Sequence, residues 1–386
     1  MVWYSAAAVA ILPAVPEVNV LGTYDLNLVE VTPVVVQDEL YLFESVRASY
    51  WQFSPEAAAG AEYLRFVHML SGNATPAFGA GHALGCAIVE EERPRGGGAP
   101  AAAEPGVYAF GTRRAFGASP PAAGDDDGSA ISVFWSTDGM QTWQNRTAID
   151  FKKEADPRRK KRTVFNTSVG KGKLNGTAAY VLAYEWSNPA TPGGWNTNFA
   201  VSRDLKGWQL LDDDAFAMPA DVEHADPTLR YVEADGYWYC IPARRDPPPG
   251  GGWHFFQEIY RSRDLRTWEA APGMGSPTQV GAPLLLPDAT RDTALAPRVW
   301  HPDTFDALAA PNGTGQGNWT AWEDCNSSDL DLCEWKGQTI MLFNWGCQHT
   351  TEALALAVSP VALDPFLQGW FAPASAASTP APAVAY

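Results

Sequence analysis

HADPTLRY at 224–231, VEADGYWYCIPARR at 232–245 and FFQEIYRSRDLRTW at 255–268 form the stretch that decides the fold. Two β-rich runs, 227–232 and 237–241, meet at Asp235-Gly236, a strong hairpin signal because both residue types tolerate left-handed turn backbone. A third run, 255–261, ends in the polar turn Ser262-Arg263-Asp264-Leu265-Arg266-Thr267-Trp268. The unit reads as an antiparallel meander of three short strands, closed by a turn and a Trp.

Its parts recur along the chain. Ser202-Arg203-Asp204-Leu205-Lys206-Gly207-Trp208 repeats the turn, and Ser136-Thr137-Asp138 with Trp143 repeats it more loosely. Hairpins recur at Asn175-Gly176, Lys336-Gly337 and Asp38-Glu39, with 84–90 and 107–111 as a weaker copy. The leading strands begin near residues 30, 84, 166, 226 and 329, which marks five units. Several strands per unit at a period of roughly 40–70 residues predict an all-β, five-bladed β-propeller. A further strand within 18–28 lies outside the first unit; in a propeller it completes the last blade and locks the ring. One domain is therefore expected over 18–371. A leader or disordered start precedes it at 1–17, and a low-complexity tail follows at 372–386.

Composition narrows the function classes. A net charge of −17 argues against nucleic acid and anionic membrane surfaces as partners. The basic run at 158–162 has no interleaved aromatics and reads as a solvated loop. No apolar run is long enough to span a bilayer. Sixteen Trp among 386 residues suit the flat faces between blades, which need large rigid plates. Sequons at Asn73, Asn145, Asn166, Asn175, Asn312, Asn318 and Asn326 point to the secretory pathway. The start lacks a basic n-region, so the cytoplasm is the alternative. Five cysteines fit neither a disulfide scaffold nor a zinc pattern, and read as small buried hydrophobes. No cofactor is expected; a structural Ca²⁺ at Asp125-Asp126-Asp127 is the single metal option. The chain is expected to be a monomer. The connection at 272–325 is long enough to wall part of a site.

In a propeller the inner strands enter a central channel from one face, so residues at their starts converge, as do the ends of the second strands. The starts offer Glu30, Asn166, Asp226, Asp329 and Asp331; the second-strand ends offer Glu44, Arg47, Arg113, Glu185, Arg244 and Asn344. Buried acids are costly unless paired, so carboxylates collected on the axis indicate chemistry. Trp186, Trp195, Trp238, Trp253 and Trp345 would rim the cup. Acids beside aromatic plates suit a sugar, whose hydroxyls bind charged acceptors and whose C–H faces stack on rings. Asp138, Asp204 and Asp264 recur in every turn and read as turn architecture. Glu334 has the parity of a residue between blades, and His224 reads as a hydrogen-bonded neighbour.

With Ala225-Asp226-Pro227, the Asp235-Gly236-Tyr237-Trp238-Tyr239 hairpin and the two Ser-x-Asp-Leu-x-x-Trp turns, the chain resembles the five-bladed propeller glycoside hydrolases. These comprise the arabinanase, invertase and levansucrase superfamily, with families 43 and 32. The resemblance implies an acidic base or nucleophile on the first blade, a second Asp as modulator and a Glu as acid. Here Glu30 stands where an Asp is usual, Asn166 where an Asp is expected, and Asp226 where a Glu would carry the acid. Glycosidic cleavage needs one ionised and one protonated carboxyl. The expectation is Glu30 as base or nucleophile, kept charged by Arg47, and Asp226 or Asp329 as acid. Asp331, Asn166, Glu185, Arg244 and Trp345 would bind the substrate. The alternative is a lectin-like propeller that has lost the acid/base set. A sialidase reading needs Arg47, Arg113 and Arg244 to converge on one carboxylate.

Overall fold

The computed structural model describes residues 16–26, 30–46, 63–91, 103–114, 127–156, 158–159, 162–188, 194–212, 218, 223–246, 254–272, 326–346 and 352–371. The leader, Arg47, the loops at 92–102 and 115–126, the connection at 273–325 and the tail lie outside the described residues.

Five antiparallel sheets stand round one axis, so the protein is a five-bladed β-propeller. Blade 1 holds β2 (Thr32–Val36), β3 (Glu39–Val46) and β4 (Tyr63–His68). Blade 2 holds β5 (His82–Glu90), β6 (Gly106–Arg114), β7 (Asp127–Ser136) and β8 (Gln144–Asp150). Blade 3 holds β9 (Val164–Leu174), β10 (Thr177–Ser187), β11 (Trp195–Ser202) and β12 (Trp208–Leu210). Blade 4 holds β13 (Ala225–Val232), β14 (Tyr237–Asp246), β15 (His254–Gln257), β16 (Tyr260–Ser262) and β17 (Glu269–Ala270). Blade 5 holds β18 (Asn326–Trp335), β19 (Gln338–Gly346) and β20 (Glu352–Ser359). Its fourth strand is β1 (Asn19–Leu26), antiparallel to β20, so the first strand of the chain closes the ring as its position outside the first unit predicts.

The buried hydrophobic residues explain why the disc holds. They fall into five clusters, each between two adjacent blades: 1 and 2, 2 and 3, 3 and 4, 4 and 5, and 5 and 1. Each blade thus buries both faces, and among the described residues no blade has a core of its own. The repeated turns feed these interfaces. Asp204 Oδ1 accepts from Lys206 N and Gly207 N at 2.9 and 2.7 Å, and Asp264 Oδ1 from Arg266 N and Thr267 N at 2.8 and 2.9 Å. The Thr142 hydroxyl and amide hold the Asp138 carboxyl well below the usual carboxylate range. With that clasp in place, Met140, Leu205 and Leu265 adopt left-handed backbone and drop buried side chains between the blades. The Trp that follows lies on the previous blade: Trp143 on Phe78 at 3.9 Å, Trp208 edge-on to Phe110 at 5.5 Å, and Trp268 on Phe199 at 5.5 Å. Such pairs add about 0.5–1.5 kcal/mol each beyond area burial. These aspartates are architectural, as their repetition indicates.

Local details depart from the sequence reading. The first hairpin turns at Gln37-Asp38, both left-handed, one residue before the expected Asp38-Glu39. The 225–246 hairpin has a four-residue turn in which Gly236 alone among its residues is left-handed, while Asp235 accepts from Tyr239 Oη at 2.7 Å. The third strand of blade 4, expected as one run, splits into β15 and β16 around Glu258-Ile259. Pro242 in the neighbouring β14 has no N–H to give, so the ladder breaks there, and Glu258 N donates to Pro242 O at 3.2 Å. Glu334 does not lie between blades: its Oε2 accepts Leu363 N at 3.1 Å, capping α1 (Leu363–Gly369).

Candidate active site

The inner strands β2, β5, β9, β13 and β18 neighbour one another round the axis. At the mouth of the channel β5, β9, β13 and β18 each carry a bulge at the equivalent place. Two residues, Leu84-Gly85, Phe165-Asn166, Asp226-Pro227 and Asp329-Leu330 respectively, oppose one on the second strand. Glu30 holds the corresponding place just ahead of β2. Glu30, Leu84, Asp226 and Asp329 all have positive φ, between 44 and 57°. Non-glycine residues there cost of order 1–3 kcal/mol each and persist only where their surroundings impose them. Bulges re-aim side chains, and those of Asn166, Asp226 and Asp329 line the axial cavity.

The result is a cavity lined by Glu30, Asn166, Thr167, Asp226, Asp329 and Asp331, among others. Its left-handed residues are held from behind by the second-strand ends of neighbouring blades. Asn344 Oδ1 accepts Glu30 N at 3.2 Å, and Glu185 Oε2 accepts Asp226 N at 2.9 Å. Glu185 is buried behind Asp226, and the Asp226 carboxyl is hydrogen-bonded to those of both Glu185 and Asp329. Carboxyls in such contact must share protons. Burial, then the charge of Glu185, pushes Asp226 well above the carboxylate range. Burial likewise pushes Glu185 up to about 7, opposed by the amide and carboxyl of Asp226 and reinforced by Asp329 and Glu223. Asn166 Nδ2 donates to Asp226 Oδ1 and, at 3.0 Å, to Asp329 Oδ1; Ser328 Oγ donates to Asp329 Oδ2 at 2.6 Å.

One of the lining residues, Asp331, is tied to a guanidinium outside the cavity lining. Arg230 reaches from β13 to the blades on both sides. Its Nη1 donates to Leu229 O at 2.8 Å and Ser168 Oγ at 3.4 Å, and its Nη2 donates to Leu332 O at 2.6 Å and to Asp331 Oδ1. Asp331 therefore lines the cavity as half of an ion pair.

Other expected residues fall elsewhere. Arg244 does not line this cavity; its guanidinium is buried against Glu258 at 3.0 Å, and Glu258 also accepts the Tyr260 hydroxyl. Arg113 is exposed at the end of β6. The three-arginine convergence of a sialidase is thus absent among the described residues. Glu44 is paired with Arg65 at 2.8 Å. Trp238 is no rim residue: it is fully buried between blades 3 and 4, with Nε1 donating to Lys173 O at 2.9 Å. Trp186 and Trp195 are partly exposed at the ends of β10 and β11, beside Arg162 at 4.0 Å and Phe165 at 4.1 Å. The side chains of Trp253 and Trp345 lie outside the described residues, as do Arg47 and Asp125-Asp126. Asn166 is walled into the cavity by two aspartates, so its sequon is no glycan acceptor. Among the described residues, no three His, Cys, Asp or Glu side chains are arranged to hold a metal ion. No helix among them is long and apolar enough to cross a membrane.

The shared protons make a stability prediction. The folded Glu185 titrates near 7, above its ordinary 4.5, so between those values the folded state holds a proton that the unfolded chain has lost. The associated stability is complete below about pH 4.5 and lost as pH rises through 7. The loss is about 3 kcal/mol from this group. Glu185→Gln keeps an acceptor for Asp226 N and removes the titration, so its stability should fall less between pH 5 and 8. Urea unfolding at both pH values measures this; an undiminished fall in the variant refutes it.

A five-bladed propeller with a proton-sharing acid cluster on its axis is the class that fold and site define. No family model matches the sequence, and no curated protein matches it. Solved structures do. One described as a glycoside hydrolase shares 11% identity at TM-score 0.51, over 97% of this chain and 96% of its own. An α-L-arabinofuranosidase of Fusarium graminearum, in complex with an iminosugar inhibitor, shares 14% at TM-score 0.51, over 88% and 97%. A GH93 α-L-arabinofuranosidase of the same organism, in complex with arabinobiose, shares 14% at TM-score 0.50, over 88% and 97%. At these identities the likeness establishes the fold.

Proposed function

We propose that the protein is a glycoside hydrolase that cleaves a poly- or oligosaccharide in the axial cavity. The observation that carries this is the meeting, in one cavity, of Glu30 from blade 1 with the hydrogen-bonded carboxyls of Asp226 and Asp329 from blades 4 and 5. Cleavage passes through an oxocarbenium-like state that needs a proton on the leaving oxygen and negative charge at the anomeric carbon. Asp226 or Asp329 supplies the proton, because burial and crowding keep the cluster protonated near neutral pH. Glu30 supplies the base or nucleophile. Glu185 acts through Asp226, holding its backbone and exchanging its proton. The glycoside hydrolase and the arabinofuranosidases among the similar structures support the reaction class and make arabinose-containing oligosaccharides the first substrates to screen.

The protein works as a monomer, a reading supported by cores that close on one another round the ring. It works in the secretory pathway or beyond, a reading the exposed sequon residues Asn73, Asn145 and Asn175 support. Aryl-glycosides together with plant and algal polysaccharides test the reading. The expected result is turnover that declines as rising pH strips the proton from the buried cluster that holds the acid. Saturable sugar binding without turnover on any substrate refutes hydrolysis in favour of a lectin-like propeller.

A further inference from the structure

The neutral amide of Asn166 joins two of the cavity's acids. Its Nδ2 carries two hydrogens, and the Oδ1 atoms of Asp226 and Asp329 accept from it, on β13 and β18 respectively. No Nδ2 hydrogen remains for a sugar hydroxyl. We propose that Asn166 is a positioning residue that clamps the Asp226 and Asp329 carboxyls at a fixed spacing and limits how many protons the cluster holds. Its catalytic consequence rests on the glycosidase reading; the clamp itself does not.

The argument is one of charge and donors. Facing Asn166 are Glu185 on β10, Asp226 on β13 and Asp329 on β18. Glu223 stands just ahead of β13, Glu30 comes from blade 1, and Asp331 is compensated by Arg230 below. An N–H donor stabilises the ionised form of a carboxyl, so the amide opposes the burial and like charge that drive protons on. A carboxylate at this position would remove both donors and add a further negative charge. A cluster with a surplus of protons has an acid and no ionised partner, whereas one stripped of protons has no acid. The neutral double donor keeps the group between these limits. Asn166 also sits in the bulge of β9, which places its amide between the two neighbouring inner strands. Its Oδ1 is buried with no partner among the described residues, which leaves the donor end as the working end.

Asn166→Leu keeps the volume and removes the donors; Asn166→Asp keeps the shape and adds an acid. Side-chain carboxyl titrations by ¹³C NMR on Asp- and Glu-labelled protein, assigned with Asp226→Asn and Asp329→Asn, read the effect without any substrate. The midpoints of the cluster should rise by roughly one to two pH units in Asn166→Leu, and further in Asn166→Asp. Asn166→Asp that folds at pH 5 and unfolds at pH 8 reports the same crowding. Midpoints that stay at the wild-type values in both variants overturn the proposal, and so does failure of both to fold at any pH, which marks a purely structural residue. With an active enzyme, the descending limb of kcat/KM moves up by the same interval with KM little changed. If the parent shows no turnover, the glycosidase reading fails while the titration still decides the clamp.

Discussion

Glu30→Gln should lower kcat by about a thousandfold or more while the protein still folds and binds ligand. The substitution is isosteric, and the backbone that aims the side chain does not depend on its charge. Position 30 is held in left-handed conformation by the chain and by Asn344, whose Oδ1 accepts its N–H at 3.2 Å. What the amide lacks is negative charge at the anomeric centre, the component that appears only in the transition state, so kcat and kcat/KM should fall together. Steady-state kinetics on the best substrate of the panel, with ligand binding by calorimetry, make the comparison. Turnover like that of the parent removes Glu30 from the chemistry. A rise in KM with unchanged kcat reduces it to a binding residue.

Residues that repeat were the legible part of this chain. The Ser-x-Asp turns, the hairpin glycines and the strand outside the first unit each act locally or at a fixed period, so a one-dimensional reading finds them. That Glu30, Asp226 and Asp329 line one cavity is legible for a related reason: all inner strands enter the channel from one face, whatever their sequence. The bulges were not. Leu84-Gly85, Phe165-Asn166, Asp226-Pro227 and Asp329-Leu330 carry no common residue pattern, and strict alternation along a strand cannot show an extra residue in it. The strand end of Glu185 faces the site and suggests a partner for sugar hydroxyls, yet its carboxyl accepts Asp226 N, a bond spanning 41 positions. Trp238 lies between blades rather than on the rim because a strand residue next to a site-lining strand has two faces to choose from, and packing between blades takes it. Pro242 signalled a broken ladder in plain sight, and Arg244 beyond it turned to the Glu258 that this break brings inward.

Arg230 is invisible to a reading by repeats because nothing repeats it, and its removal should have the largest effect on stability. The side chain bridges three blades near the axis, bonding to Ser168 on β9, its own strand, and Leu332 and Asp331 on β18. Its side chain is 19% exposed and that of Asp331 11%, so water does little to compensate the loss of either. Taking one partner from a pair so placed costs about 3–5 kcal/mol, because the other charge stays buried. Arg230→Met preserves much of the volume and should lower the free energy of unfolding by that amount, read from urea denaturation at neutral pH. Asp331→Asn in the same chain removes the stranded charge, so the double variant should regain part of the loss. This coupling separates an ion pair from simple packing, since a cavity at position 230 is indifferent to the charge at 331. A single variant within 1 kcal/mol of the parent, or a double variant whose losses merely add, would show that the blade interfaces hold the ring without this ion pair.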